Sequence, residues 1–562
     1  MNVLGIHIGH DSSAALIIDG KIFADVAEER FKRIKHFAGL PIQSIHYCMA
    51  SANLSFADID FVAISGKHLT RYHKFLLNLH QDSDPTVKFN GSSKLAPFIT
   101  GEAFIKPPLY IKGFYPGWSK TTLINVEHHL AHAASAYYTS GIAEKQLIVT
   151  IDGAGDHFST CIWRGEENAI TPLEKNPTTG SLGWFYSNVT EALGWWHGDG
   201  EGKTMGLAPY GNTAETKGVL DAFYPKYANG KLVTPHDFGR AFLWNEDGSL
   251  HWHFEEASEI KKLADRFGPE NIAAEAQRIL EEQVLQIVFP WMERENTQNL
   301  SCAGGVFLNV KLNQRIRESG KVEMHHIYPN AGDAGLAAGA ALYAYFSKNP
   351  GTAVPAPDNL YLGPEYSDQE ISAILRARNL KYRKPGNVVE FVAGELASGK
   401  IVAWFQGRME SGPRALGNRS ILMSPLKAEN KDILNSRVKF RESFRPFCPS
   451  ILYEKKDDYL ENSGDELFMI TSFNCIPSKR LAIPAVVHAD FTLRPQLVKK
   501  EFNPKFWELI HAFGNLTGEY VLLNTSMNIM GEPIVNHPRE AIRCFFDSGI
   551  DLLVMNDFIL EK

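Results

Sequence analysis

Along its first 36 residues the chain alternates apolar blocks with short polar breaks. VLGIHIGHDSSAALIIDGKIFADVAEERFKRIKH predicts a strand, a tight turn, a strand, a turn at Asp19-Gly20, a third strand and then a charged helix. QLIVTIDGAGDHFSTCIW, from Gln146, repeats the signature, with an acid and a glycine-rich turn between two apolar strands. The repeat predicts a duplicated α/β unit, although spacing alone also allows two unrelated hairpins. A third block, NLSCAGGVFLNVKLNQRI, places a strand end and Gly304-Gly305 before a helix. Backbone that close either cradles a nucleotide or packs a helix on a sheet. NAGDAGLAAGAALYAYF then starts a small-residue helix. SKNPGTAVPAPDNLYLGPEYS is rich in Pro and Gly with little periodicity, and strands resume at KIVAWFQG and EYVLLNTSMN. The expected organisation is a domain over 1–350, a linker over 351–367 and a second domain over 368–562.

At 562 residues the chain exceeds a single core. Net charge −7 excludes a surface that is basic throughout, as a nucleic-acid binder needs. Six scattered cysteines without C-x-x-C predict a reducing, cytoplasmic setting. No signal peptide is read, and no run approaches the ~20 apolar residues that span a bilayer. Against this acidic background stands a basic island, QGRMESGPRALGNRS…NSRVKFRESFRPF. Between Arg408 and Arg445 nine Lys/Arg face four Asp/Glu, so +5 is concentrated there and −12 is left elsewhere. The spacing reads as non-helical, with Gly, Pro and Phe interleaved. Guanidiniums on turns suit a small, multiply charged phosphate better than a solvated face.

Two further motifs carry chemistry. Gly198-Asp-Gly-Glu-Gly-Lys203-Thr204 approaches a P-loop but has His197 where the first glycine belongs. It reads as a glycine-rich active-site loop, with Lys203 either reaching a phosphate or lying on the surface. NVEHHLAHAASAYY puts His128 and His132 on one face of a helix, without the glutamate of a zinc protease. Such a pair is more often core or surface. Asp152 in IDGAGD and Asp333 in NAGDAG, both beside glycines at strand-to-turn positions, shift the balance toward a metal. Two imidazoles and two carboxylates suit Fe(II), Zn or Mn.

Together these motifs resemble a family, the O-carbamoyltransferases that tailor antibiotics and nodulation factors. The resemblance spans nearly the whole chain through GHDSSAAL, AEERFKRIKH, EHHLAHAASAYY, IDGAGD, GEGKTMGLAPYG, AGGVFLN, GDAG, ESGPRALGNRS, VKFRESFRPF and NTSMNIMGEPIV. It implies an N-terminal actin-like (ASKHA) domain similar to the tRNA threonylcarbamoyltransferase and a C-terminal YrdC-like domain. It further implies His128, His132, Asp152 and Asp333 as iron ligands. Arg414, Lys439, Arg445, Ser526 and Asn528 fall on the site for ATP, with its Mg, and carbamoyl phosphate. His488 and Arg494 belong to the same site, Lys203, Gly304, Gly305 and Asn309 to nucleotide binding, and His10 to the acceptor hydroxyl. Met527 departs from the family's Phe, and Phe491 and Leu493 from its Gly and Ala.

The implied reaction makes carbamoyl-adenylate and passes the carbamoyl group to a small-molecule alcohol, with no nucleic acid or membrane partner and a monomer or homo-oligomer as the working form. His10, beside Asp11, is the expected general base, with a pKa near that of free imidazole. Residues 68–118, with their aromatic side chains, are the expected source of acceptor specificity. The rival readings are a tRNA threonylcarbamoyl-type enzyme, which the acidic remainder disfavours, and an actin-like chaperone or regulator, which gives the His pair and the basic island no work.

Overall fold

In the computed structural model, residues 1–66, 121–244, 250–352 and 356–562 are described. The first sheet contains β1 (Asn2–His7), β2 (Ser13–Ile18), β3 (Lys21–Ala27), β4 (Phe61–Ser65) and β5 (Thr122–Val126). Its order is β3-β2-β1-β4-β5, antiparallel through β3, β2 and β1 and parallel through β1, β4 and β5. The Asp19-Gly20 turn has φ of 48° and 83°, the paired positive values of a tight hairpin.

The second sheet contains β6 (Gln146–Gly155), β7 (Phe158–Glu166), β8 (Ala169–Pro177), β9 (Asn299–Ala303) and β10 (Met324–Ile327). Its order, β8-β7-β6-β9-β10, repeats the first sheet strand for strand and sense for sense. The repeat of turn motifs is thus a repeat of topology.

Two helices, α1 (His128–Tyr137) and α2 (Leu336–Lys348), join the two sheets in one core that holds Val3 and Ala63 of the first with Ile148 and Ala303 of the second. Their small side chains follow from backbone proximity: a Cβ on Gly339 would lie 1.9 Å from the carbonyl oxygen of Ala131. Larger residues would force the helices apart and open the core.

The C-terminal half is built on a seven-stranded mixed sheet of β11 (Val402–Phe405), β12 (Arg419–Met423), β13 (Cys448–Leu452), β14 (Gln496–Val498), β15 (Val521–Ser526), β16 (Leu552–Met555) and β17 (Phe558–Glu561). Its order is β14-β13-β15-β12-β11-β16-β17. Separate apolar clusters cover its two faces. The chain is therefore an α/β protein with mixed sheets. Among the described residues, no helix is long and apolar enough to cross a membrane.

Three local expectations need correction. The charged helix after β3 is a single turn, Glu29–Lys32, stopped by Arg33 in the left-handed region at φ 59°. The glycine-rich segment is a loop only to Gly200, because Glu201–Leu207 is helical. Part of the basic island is helical too, from Glu429 to Lys439, ending in a π-turn. Residues 68–118, the expected acceptor loop, lie outside the described residues.

Candidate active site

The first cluster forms where α1, β6 and the 330–335 turn converge. His128 and His132 face β6, and Asp152 lies on that strand where it opens into its glycine turn. A Cβ on Gly155 would sit 2.1 Å from the His128 ring, so the turn needs glycine to admit the imidazole. One donor atom from each of His128, His132, Asp152 and Asp333 lies within 4.8 Å of the others. His132 Nε2 is 3.0 Å from Asp152 Oδ2 and 3.5 Å from Asp333 Oδ1. His128 Nε2 is 3.6 Å from Asp333 Oδ1 and 3.9 Å from Asp152 Oδ2. That nitrogen is buried without a hydrogen-bond partner. An orphaned imidazole nitrogen facing two crowded carboxylates fits a divalent cation.

Electrostatics point the same way. Burial alone would pull the His132 pKa down, but Asp152 and Asp333 overcome it and raise it to about 9. Burial pushes both carboxylates up, yet their histidine neighbours hold them below the ordinary range. The histidines are doing in this arrangement what a cation would otherwise do.

His10 stands at the rim. Its Nε2 lies 3.2 Å from Asp333 Oδ2 and its Nδ1 3.0 Å from Asp11 Oδ2. Asp11 therefore orients the ring, and its other oxygen binds His36 Nδ1 at 2.7 Å. The expected near-neutral pKa is not what this environment gives. Against burial, Asp333 and Asp11 raise His10 to about 9. A cation on Asp333 would remove much of that pull. His7, which sequence reasoning passed over, braces the turn from beneath: Nδ1 meets Ser65 Oγ at 2.7 Å and Nε2 meets the His10 carbonyl at 3.1 Å. A histidine on a buried strand carries no signal distinguishing it from core.

The second cluster lies in the C-terminal half. Lys439, at the end of the π-turn, points Nζ at Ser526 O (2.5 Å), Asn528 Oδ1 (2.7 Å) and Asn528 O (3.1 Å). Burial, then Arg441 and Arg445, lowers its pKa to about 7. Arg414 is pushed down to about 9 by burial and then by Arg494 and Arg445, and its Nε is buried without a partner. Arg441, not singled out from sequence, is likewise held near 9 by burial and then by Arg445 and Arg494. Arg494 places Nε and Nη2 at 2.9 and 2.7 Å from Cys448 Sγ. Burial and neighbouring guanidiniums lower Arg414, Lys439 and Arg441, with Arg445 and Arg494 beside them, an arrangement that suits an anion. His488 sits in the adjoining turn, driven down to about 3 by burial.

Other parts of the island serve the fold. Arg419 is fully buried, donates to the carbonyls of Gln406, Gly407 and Pro364 and stacks on Phe405. Arg408 donates to the carbonyls of Phe23, Leu362 and Gly363. Arg437 pairs with Asp551. The loop that presents Arg414 is held by buried Glu410, whose Oε1 accepts from the amides of Leu416, Asn418 and Arg419 at 2.7–3.0 Å.

The four residues expected to bind nucleotide all make contacts within the protein. Lys203 pairs with Glu442 at 2.9 Å, tying the halves together. Asn309 caps the helix Val310–Arg317 and exchanges hydrogen bonds with Gln277. The amide of Gly305 donates to Asp152 Oδ2 at 3.2 Å, while Gly304 takes φ 101° against Ile151. Of the departures, Met527 and Leu493 are fully buried, whereas Phe491 takes φ 61° and is exposed. Glycine is the easier residue at that last position.

Two family profiles match the chain. The family profile described as Carbamoyltransferase N-terminus matches residues 2–342, and Carbamoyltransferase C-terminus matches residues 393–562. The uncharacterized protein sll1178 of Synechocystis is 36% identical over 100% of this chain and 97% of its own length. Nodulation protein NolNO of Sinorhizobium fredii is 35% identical over 98% of this chain and 79% of its own. Nodulation protein U of Rhizobium tropici is 27% identical over 100% and 96%. The chain belongs to the carbamoyltransferase family and is a carbamoyltransferase.

Proposed function

We propose that the chain is an ATP-dependent O-carbamoyltransferase with two coupled sites. The observation that carries this reading is the segregation of charge: a buried cation cluster in one half and a His/Asp cluster in the other. In the C-terminal site carbamoyl phosphate is cleaved by water to carbamate and phosphate. A carbamate oxygen attacks the α-phosphorus of ATP, the bond to the β-phosphate oxygen breaks, and pyrophosphate leaves. Arg414, Lys439, Arg441, Arg445 and Arg494 offset the repulsion between polyanions and the charge that spreads over the phosphoryl oxygens. Ser526 and Asn528, which hold Lys439 here, orient it toward the phosphates. Carbamoyl-adenylate then moves to the N-terminal site. There an acceptor hydroxyl attacks the carbamoyl carbon, giving the carbamate ester and AMP, and His10 takes the hydroxyl proton.

His128, His132, Asp152 and Asp333 would hold a divalent metal, with iron(II) the first candidate; bound there, it supplies Lewis-acid charge for a phosphate oxygen. Magnesium accompanies ATP. In this reading the duplicated half is actin-like, which the matching order of its two sheets supports, and the C-terminal half is YrdC-like. The acceptor is a small-molecule alcohol, and the enzyme works in the cytoplasm, where its six buried free thiols stay reduced. Incubation with ATP and carbamoyl phosphate should yield pyrophosphate that depends on both. Release of ADP, or pyrophosphate made without carbamoyl phosphate, would overturn the reading.

A further inference from the structure

The loops that carry the two clusters meet at a buried joint. Ser411 and Gly412 precede Arg414 on one loop, and Asn330 precedes Asp333 on the other. Between them stands Asp25 of β3, 1% exposed, with Ser411 and Asn330 each 4% exposed. Ser411 Oγ donates to Asp25 Oδ2 at 2.5 Å. Asn330 Nδ2 lies 3.4 Å from the same oxygen and 3.5 Å from Ser411 Oγ. Arg30, itself buried, donates from Nη2 to the Gly412 carbonyl at 2.8 Å. Gly412 takes φ 87°, and a Cβ there would meet the Asn330 Cβ at 3.4 Å. The contact is therefore backbone against side chain, with little slack.

Chain geometry sets how near the chemistry lies. Ser411 and Arg414 are three positions apart, as are Asn330 and Asp333, a reach of at most ~11 Å in each direction. Stability gives no reason for an acid at this point. The hydrogen-bonding partners of Asp25 are neutral, and burial pushes its pKa up to about 6, so an ionised carboxylate here is costly. What it offers is one oxygen shared by two loops from opposite halves of the chain.

We propose that Asp25 is a positioning residue that, through Ser411 and Asn330, clamps the two active-site loops together and keeps carbamoyl-adenylate enclosed between the sites. The inference rests on the two-step reading above. A mixed anhydride that escapes takes up water and yields AMP and carbamic acid, which breaks down to carbon dioxide and ammonia. Enclosure is therefore measurable as AMP that is not formed.

The test needs no acceptor. Holoenzyme is mixed with ATP and carbamoyl phosphate, and pyrophosphate and AMP are followed in time. Wild type should show a burst of about one pyrophosphate per chain, then slow turnover, because the intermediate is retained. Asp25→Asn and Ser411→Ala should keep the burst rate and release AMP at least ~10-fold faster afterwards. A joint that matters only for folding would lower the burst and the later phase together, and that result overturns the proposal. So does AMP release at the wild-type rate in both variants. Absence of any pyrophosphate from wild type would instead remove the two-step reading, and the joint with it.

Discussion

Lys439 offers the sharpest quantitative test, because its protonation reports whether a polyanion belongs beside it. With no anion beside it, burial lowers its pKa to about 7, against an ordinary 10.5. The cause is burial, reinforced by Arg441 and Arg445. A bound triphosphate supplies the opposite charge and favours the ammonium form. The sign follows from proton counts. The complex binds more protons than the free enzyme, so affinity falls as pH rises above the free-state pKa, by roughly tenfold per pH unit above pH 7 until the pKa of the complex is reached. At pH 8 the free lysine is mostly neutral, so each binding event should take up ~0.9 proton, and at pH 6 only ~0.1. Restoring the ordinary pKa would be worth at most roughly 5 kcal/mol, at ~1.36 kcal/mol per pKa unit.

The assay is calorimetry of a non-hydrolysable ATP analogue in two buffers of different ionisation enthalpy, at pH 8 and pH 6. The slope of apparent against ionisation enthalpy counts the protons. Lys439→Met keeps the buried stem and should flatten the slope at pH 8 while weakening binding. Wild type with no buffer dependence at pH 8 would refute the assignment of Lys439 to the phosphates. A slope unchanged in Lys439→Met would assign the proton to another group.

The remaining expectations divide the sites. Arg414→Ala should abolish pyrophosphate formation from ATP and carbamoyl phosphate, yet leave transfer from supplied carbamoyl-adenylate; full pyrophosphate output would remove Arg414 from the anion site. The His128→Ala/His132→Ala double variant should lose its metal, read by plasma mass spectrometry, and its transfer activity, but still make pyrophosphate. His10→Asn should slow transfer by roughly 10²–10⁴-fold with metal content and the first-turnover pyrophosphate burst unchanged. Glu410→Ala strands three backbone amides that now bond Oε1; a loss of roughly 3 kcal/mol, seen as a lowered denaturation midpoint, is the expected result.

How far the sequence disclosed this arrangement depends on which groups hold each residue. The Asp19-Gly20 turn, the paired glycine-rich turns and the small-residue helix were legible because each reflects a local backbone requirement written in residue type. The shared order of the two sheets was not, because pairing β1 with β4, or β6 with β9, is settled by distant packing rather than by periodicity. The four candidate ligands were legible as His i,i+4 and as Asp beside Gly. What held them was not: the orphaned nitrogen of His128 and the brace of His7 beneath His10 are properties of the fold.

The basic island was the hardest stretch to divide, and the reason is physical. Arg419 and Arg408 are satisfied by backbone carbonyls, which every residue carries, so nothing in residue type marks them as structural. Arg441 lies close enough to Arg445 and Arg494 to be depressed by them, a relation that exists only after the chain has folded. Glu410 looked like one of four acids diluting a positive run. In the fold it gathers three amides and so sets the loop that presents Arg414. Counting charges located the stretch that carries the buried cations, but deciding which charges gather there required knowing where each guanidinium spends its hydrogens. The same holds across the halves. Lys203 looks available for a phosphate in sequence, and only the fold shows it paired with Glu442 across the two halves of the chain.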